Sequence, residues 1–273
     1  MAVALEDIKK LRALTGAGLG DCKKALAEAN GNMEEAIEII RKKGQAVAAK
    51  RSDREAAEGA VLVKSADGFA AILALKCETD FVAKNEDFIK LAQEILDAAV
   101  ANKCKSLEEV NALPFGTHTV AEAVTDRSGI TGEKMELDGY MFIEGENVSV
   151  YDHMGRHMLC TMVQTNKPAE EAAHNVAMQV AAMNPVSLCE KDVPEKIRKE
   201  EYEIAADKAR QEGKPENMIE RIANGRMQKF YKEACLLNQE FIQDSKVSVA
   251  DYLKQADKEC TVTAFKRFTL RAE

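Results

Sequence analysis

Apolar positions near the N-terminus recur at helical spacing. Leu5, Ile8, Leu11 and Leu14 fall three residues apart and predict one apolar face of a helix. Thr15-Gly16-Ala17-Gly18 breaks it, because glycine suits a sharp turn and weakens a helix interior. A second amphipathic stretch carries Cys22, Ala25, Leu26 and Ala29, with Gly31 as its stop. Asn32 followed by Glu35 is an N-cap signature, and a third helix with Met33, Ala36, Ile37 and Ile40 is expected to run until Gly44. Residues 1–45 thus read as a three-helix module, too small to stand comfortably alone and suited to docking. Residues 46–58 are rich in Ala, Lys, Arg and Glu without an apolar stripe, and read as a linker.

The pattern then turns to strands. Val61 and Val63 lie on one side of Ala66-Asp67-Gly68 and the run Phe69 to Leu75 on the other, which predicts a hairpin. A helix over about 86–102 buries Phe88, Leu91, Ala92, Ile95 and Ala99, and Ser106 with Glu109 opens a short helix that ends before Pro114. Strands are expected near Met135, at Tyr140 to Ile143, at Val148 to Tyr151 and at Met158 to Val163, followed by a helix over 170–183. Strand–helix order occurring twice predicts an α+β chain with two subdomains on antiparallel sheets, 59–134 and 135–273. Within the second, 195–232 holds two charged helices around Gly213-Lys214-Pro215. Their thin seams, Ile197/Ile204 and Met218/Ile222, predict a protruding helical hairpin, a short coiled coil. A short helix from Val249 and a strand from Val262 close the chain.

Charge narrows the function. With 38 basic and 46 acidic residues in 273, and 14 aromatics without Trp, the chain is a poor nucleic-acid binder. No apolar run approaches a membrane span, and the N-terminus has no export pattern, so a cytoplasmic location is expected. Seven scattered cysteines without a CxxC pair read as reduced and mostly buried. Phosphate-loop, dinucleotide, nucleophile-elbow and HExxH motifs are all missing, and His153 and His157 flank Gly155 in a strand-rich stretch that does not suit a metal. The expectation is a protein that is not an enzyme and needs no cofactor.

Two segments carry more information. Leu11 to Leu26, with Gly16, Gly18 and Gly20 inside it, could be no more than a glycine-held helix–turn–helix. Glu78-Thr79-Asp80-Phe81-Val82-Ala83-Lys84-Asn85 joins a strand to a helix. There Phe81 could pack into the core while Asp80 caps the next helix. Both segments resemble the two signature motifs of the elongation factor Ts family, the nucleotide-exchange partners of the GTPase elongation factor Tu. The resemblance extends over Tyr151-Asp152-His153, His174 to Gln179, Gly213-Lys214-Pro215, Gly225-Arg226 and Phe265 to Phe268.

That resemblance implies exchange by displacement. The loop matching Asp80 and Phe81, with Thr79 and Val82 beside them, would wedge in near the partner's magnesium ion and phosphates. Arg12, Leu19, Gly20 and Lys23 would touch the same GTPase domain, with Gly20 standing where a large apolar residue is commoner. Met135 (where Ile is usual) and His153 would line adjoining contacts. Ile242 and Gln243 would lie near the partner's third domain, after Glu240 at a position where proline is usual. The module 1–45 also resembles a ubiquitin-associated fold in shape. The chain itself would bind no nucleotide, and its hairpin would suit a lateral association into a homodimer or a 2:2 complex. Two other readings stay open: a non-exchanging adaptor or chaperone-like binder using the module and the hairpin, and a thiol enzyme using Cys22 or Cys77.

Overall fold

In a computed structural model that describes residues 3–270, the chain forms two units. The first comprises the described residues up to Leu62 with Leu73–Met141, the second Val63–Ile72 with Phe142–Thr269. The fold is α+β, with an N-terminal three-helix module of α1 (Leu5–Thr15), α2 (Leu19–Glu28) and α3 (Met33–Lys50). Gly16 at φ 71° ends α1, a conformation open to glycine without strain. The Asn32 side chain caps α3 by accepting from the N–H groups of Glu34 and Glu35 at 3.0 and 3.2 Å. Ile8, Leu11, Cys22, Ala25, Leu26 and Ala36 make the module's core.

Two expectations for this module need correction. Leu5 and Leu14 are exposed at 63% and 60%, while Ile8 and Leu11 are buried. Three-residue spacing slips ~60° per step against the helical period, so the ends of the series turn away from the core. Helix α3 also does not stop at Gly44 but runs on to Lys50, taking up 46–50. There it crosses α7 (Val120–Thr131), an element the apolar pattern did not reveal. A Cβ on Gly129 of α7 would lie 2.1 Å from the Gly44 Cα, so glycine on both sides allows the backbones to meet. Arg41 pairs with Glu122 across the same crossing.

Strands β1 (Glu58–Ala66), β2 (Phe69–Cys77) and β5 (Met135–Glu144) form a sheet in the order β1-β2-β5. In the first unit a short β3 (Pro114–Phe115) pairs with β4 (His118–Thr119). The one-turn helix α4 (Asp80–Ala83) follows β2. Beyond it α5 (Glu86–Ala101) buries Phe88, Leu91, Ala92, Ile95 and Ala99 as its spacing predicts, and α6 (Leu107–Ala112) starts at the Ser106 cap.

The second unit is built on an antiparallel sheet of β6 (Val148–Asp152), β7 (Leu159–Thr165) and β10 (Val262–Thr269) in the order β10-β7-β6. Helix α8 (Glu170–Met183) lies over it on Val176, Ala177 and Val180. Between α8 and β10 the chain forms α9 (Glu195–Gln211), α10 (Glu216–Ala234), β8 (Glu240–Phe241), β9 (Asp244–Ser248) and α11 (Val249–Ala256). Helices α9 and α10 pair as a hairpin, with Ile197 and Ile222 of the expected seam packed at its contacts and Ile204 and Met218 outside them. Ala205, Ala206 and Ala209 pack with Ile219 and Ala223, whereas Ile204 and Met218 are exposed at 60% and 42%. Small side chains let helix axes approach, so alanine supplies the contact here. No described helix is long and apolar enough to cross a membrane.

Candidate partner-binding site

The turn after β2 is held by three side chains. The Glu133 carboxylate accepts the N–H groups of Glu78 and Thr79 on Oε2 at 3.2 and 3.0 Å, and the Thr79 hydroxyl on Oε1 at 2.6 Å. The Glu78 carboxylate accepts from Arg51 Nη1 at 3.0 and 3.2 Å and from the Lys134 N–H at 2.6 Å. Thr79 Oγ1 in turn accepts from the Val82 N–H at 3.4 Å, capping α4. On this base Phe81 stands 85% exposed. The core-packed alternative for its ring is therefore excluded, and the cap is Thr79 rather than Asp80. Asp80 opens the helix, bonded to Lys84 Nζ at 2.7 Å, and Val82 is half-buried. The lysine hydrogen bond is the main reason that the Asp80 carboxyl titrates below its ordinary value.

Below the turn, burial and then the Glu133 charge push the Cys77 thiol up to about 12. A thiol held protonated at neutral pH is a poor nucleophile, and Cys22 is fully buried as well. The turn therefore offers no thiol chemistry. It offers a large apolar ring on a braced support, a residue type that anchors interfaces when it enters a partner's pocket.

The module holds four more of the residues expected at a contact. Arg12, Leu19, Gly20 and Lys23 are all exposed, as are Leu5 and Leu14. A Cβ at Gly20 would meet nothing within 4 Å, so the surface there is open.

In the second unit His153 begins a 3₁₀ turn, His153–Gly155, and is exposed, with its Nδ1 3.2 Å from the Tyr151 hydroxyl. Ile242, 44% exposed, and Gln243 follow β8. Their turn is fixed by Gln179, fully buried on α8. Its Oε1 accepts the Ile242 N–H at 2.8 Å, and its Nε2 donates to Glu240 O at 3.1 Å and to Gln239 Oε1 at 3.0 Å. Phe241 stacks on Tyr252 with centroids 3.9 Å apart, so the turn is anchored. Met135, in contrast, is buried at the start of β5 and presents no side chain to a partner.

Of the bracing residues, Gln179 closes the stretch His174 to Gln179 that carries the resemblance, without a role being read for it, and Glu133 lies in no motif. Gln179 leaves a trace, a polar side chain on the Val176–Val180 face of an apolar helix. Glu133 leaves none, since it follows the Gly132 that ends α7. Among the described residues no group of three or more His, Cys, Asp or Glu could hold a metal ion.

The comparisons with known proteins establish the family. A family model described as elongation factor TS matches residues 78–272, starting at the braced turn itself. Elongation factor Ts of Porphyromonas gingivalis is 54% identical over 275 aligned positions, with all of both chains covered. Those of Phocaeicola vulgatus and Parabacteroides distasonis are 53% and 52% identical over 329 positions, again with full coverage. Such similarity defines a translation elongation factor. More narrowly, the chain belongs to the elongation factor Ts family.

Proposed function

We propose that this chain is a guanine-nucleotide exchange factor for elongation factor Tu. Phe81 enters an apolar pocket of the GTPase domain, and Asp80 approaches the surroundings of its magnesium ion. Magnesium demands near-ideal octahedral oxygen geometry, so a small displacement of its neighbours weakens it sharply. A factor that binds the nucleotide-free GTPase more tightly than the GDP complex must, by linkage, weaken GDP by the same ratio. The module's Arg12, Leu19 and Lys23 extend the contact, as do His153, Ile242 and Gln243 in the second unit. The chain makes and breaks no covalent bond and binds no nucleotide, because ion and nucleotide belong to the partner, and it acts in the cytoplasm.

The observation that carries this reading is the 85% exposure of Phe81 on a turn pinned from beneath. The test is release of fluorescent GDP from elongation factor Tu in the presence of Phe81→Ala. Loss of a central aromatic anchor costs about 2 kcal/mol, so release is expected to slow roughly thirtyfold with no change in melting temperature. Release at the wild-type rate overturns the reading.

A further inference from the structure

Helix α4 is a single turn of four residues. So short a helix has almost no stability of its own, because nucleation is unfavourable and only propagation repays it. Its orientation must come from outside, and three bonds lead to one carboxylate. The N–H groups of Glu78 and Thr79, left over where β2 ends and α4 begins, both point at Glu133 Oε2. The Thr79 hydroxyl donates to Glu133 Oε1, which fixes its rotor and leaves an oxygen lone pair for the Val82 N–H. Glu133 is itself held in place: its carbonyl accepts from Ser128 Oγ at 2.5 Å and its N–H donates to Thr131 Oγ1 at 3.3 Å.

Resting on the exchange reading above, we infer that Glu133 is a positioning residue for nucleotide exchange. Its carboxylate does not reach the partner. It clamps Thr79, Thr79 caps α4, and α4 aims Asp80 and Phe81. Binding that depends on one rigid side chain is sensitive to its placement, and an error near 1 Å can cost up to ~10²-fold in rate.

Four full-length variants test this in the fluorescent-GDP assay: Phe81→Ala, Glu133→Ala, Glu133→Gln and the double variant Phe81→Ala/Glu133→Ala. Glu133→Ala is expected to slow stimulated release about tenfold, and Glu133→Gln, which keeps an oxygen for the two N–H groups, to stay within about twofold of wild type. The double variant should release close to the Phe81→Ala rate, because a residue acting through α4 has only Asp80 left to position once the ring is gone. Wild-type release by Glu133→Ala beside a slow Phe81→Ala overturns the assignment while leaving the exchange reading intact. A double variant slower than Phe81→Ala by the full Glu133→Ala factor also overturns it, because Glu133 would then act elsewhere. If Phe81→Ala itself is at the wild-type rate, the exchange reading fails. Amide hydrogen exchange at Glu78 and Thr79 then still decides on the clamp: faster exchange in Glu133→Ala, restored in Glu133→Gln, supports it, and unchanged exchange overturns it.

Discussion

The two units brace their exposed apolar residues in different ways. In the first, the support under Phe81 is ionic: Glu133 and Glu78 are half-buried carboxylates that gather backbone N–H groups, with Arg51 on one of them. In the second, the support under Ile242 is the neutral Gln179 amide, fully buried, with both ends bonded. The difference follows from solvent. A carboxylate accepts strong charge-assisted bonds but must keep part of its hydration, whereas an amide can be buried whole if every polar atom finds a partner. The charged brace can therefore lie directly beneath a surface turn, and the neutral one can sit in the core and hold the turn from inside.

That contrast predicts opposite readouts. Gln179→Leu leaves Gln239 Oε1 without this partner in a buried site and the Ile242 N–H and Glu240 O without it in a part-buried one, which should cost roughly 2 kcal/mol of stability. Urea denaturation would show a lower midpoint at unchanged m, and an unchanged midpoint would mean that the neutral brace is dispensable. Phe81→Ala should do the reverse, losing about 2 kcal/mol in the exchange assay and nothing in the melt. Ile242→Ala, from a residue already half covered, should lose no more than about 1 kcal/mol of partner affinity. Titration calorimetry against elongation factor Tu would rank the two anchors, and a larger loss at Ile242 would invert the comparison.

A charged brace also perturbs its neighbours. Cys77 is raised from 9.0 to about 12, with burial as the main cause and Glu133 next. Since the folded state holds the thiol protonated, its contribution to stability is whole below pH 9 and is lost as pH rises towards about 12. Iodoacetamide at pH 8 should accordingly modify the half-exposed Cys189 well before Cys77. Glu133→Gln should quicken Cys77 alkylation by removing the cause that ranks after burial, and unaltered kinetics would mean that the Glu133 charge does not hold the thiol protonated.

How far the sequence could be read follows the same division between local and distant partners. Helix α8 falls where its pattern places it, at 170–183, because its apolar face and its sheet are close in sequence. The exposure of Phe81 was legible only through the resemblance, since an isolated Phe is consistent with either core or surface. Gly44 misled in an instructive way. Glycine is a common helix stop, but here it permits contact with Gly129, 85 residues on, and nothing local encodes that. The hairpin misled for a related reason: large side chains at Ile204 and Met218 suggest a seam, and alanines make the closer one. Glu133 was silent because its partners lie 54 and 55 residues earlier.

The smallest expected effect is the most direct check on what braces the first turn. Lys84 bonds Asp80 at 2.7 Å one helical turn away, on the surface of α4 itself. If that ion pair held the turn, Lys84→Ala would loosen it; if Glu133 holds it from beneath, the pair is solvated decoration. Exposed pairs at this spacing contribute little because water screens them and ordering two side chains costs entropy. Lys84→Ala should then leave the melting temperature and the exchange rate where they are. The Asp80 carboxyl, freed of its lysine, should titrate closer to its ordinary value in an NMR pH series. Its depressed value makes the pair's contribution present at neutral pH and lost as pH falls through the folded-state value, so any effect of the lysine must vanish in acid. A fall in melting temperature at pH 7 that disappears at low pH would move the brace from Glu133 to the surface pair, and with it the distinction between a turn supported from below and one supported by its own side chains.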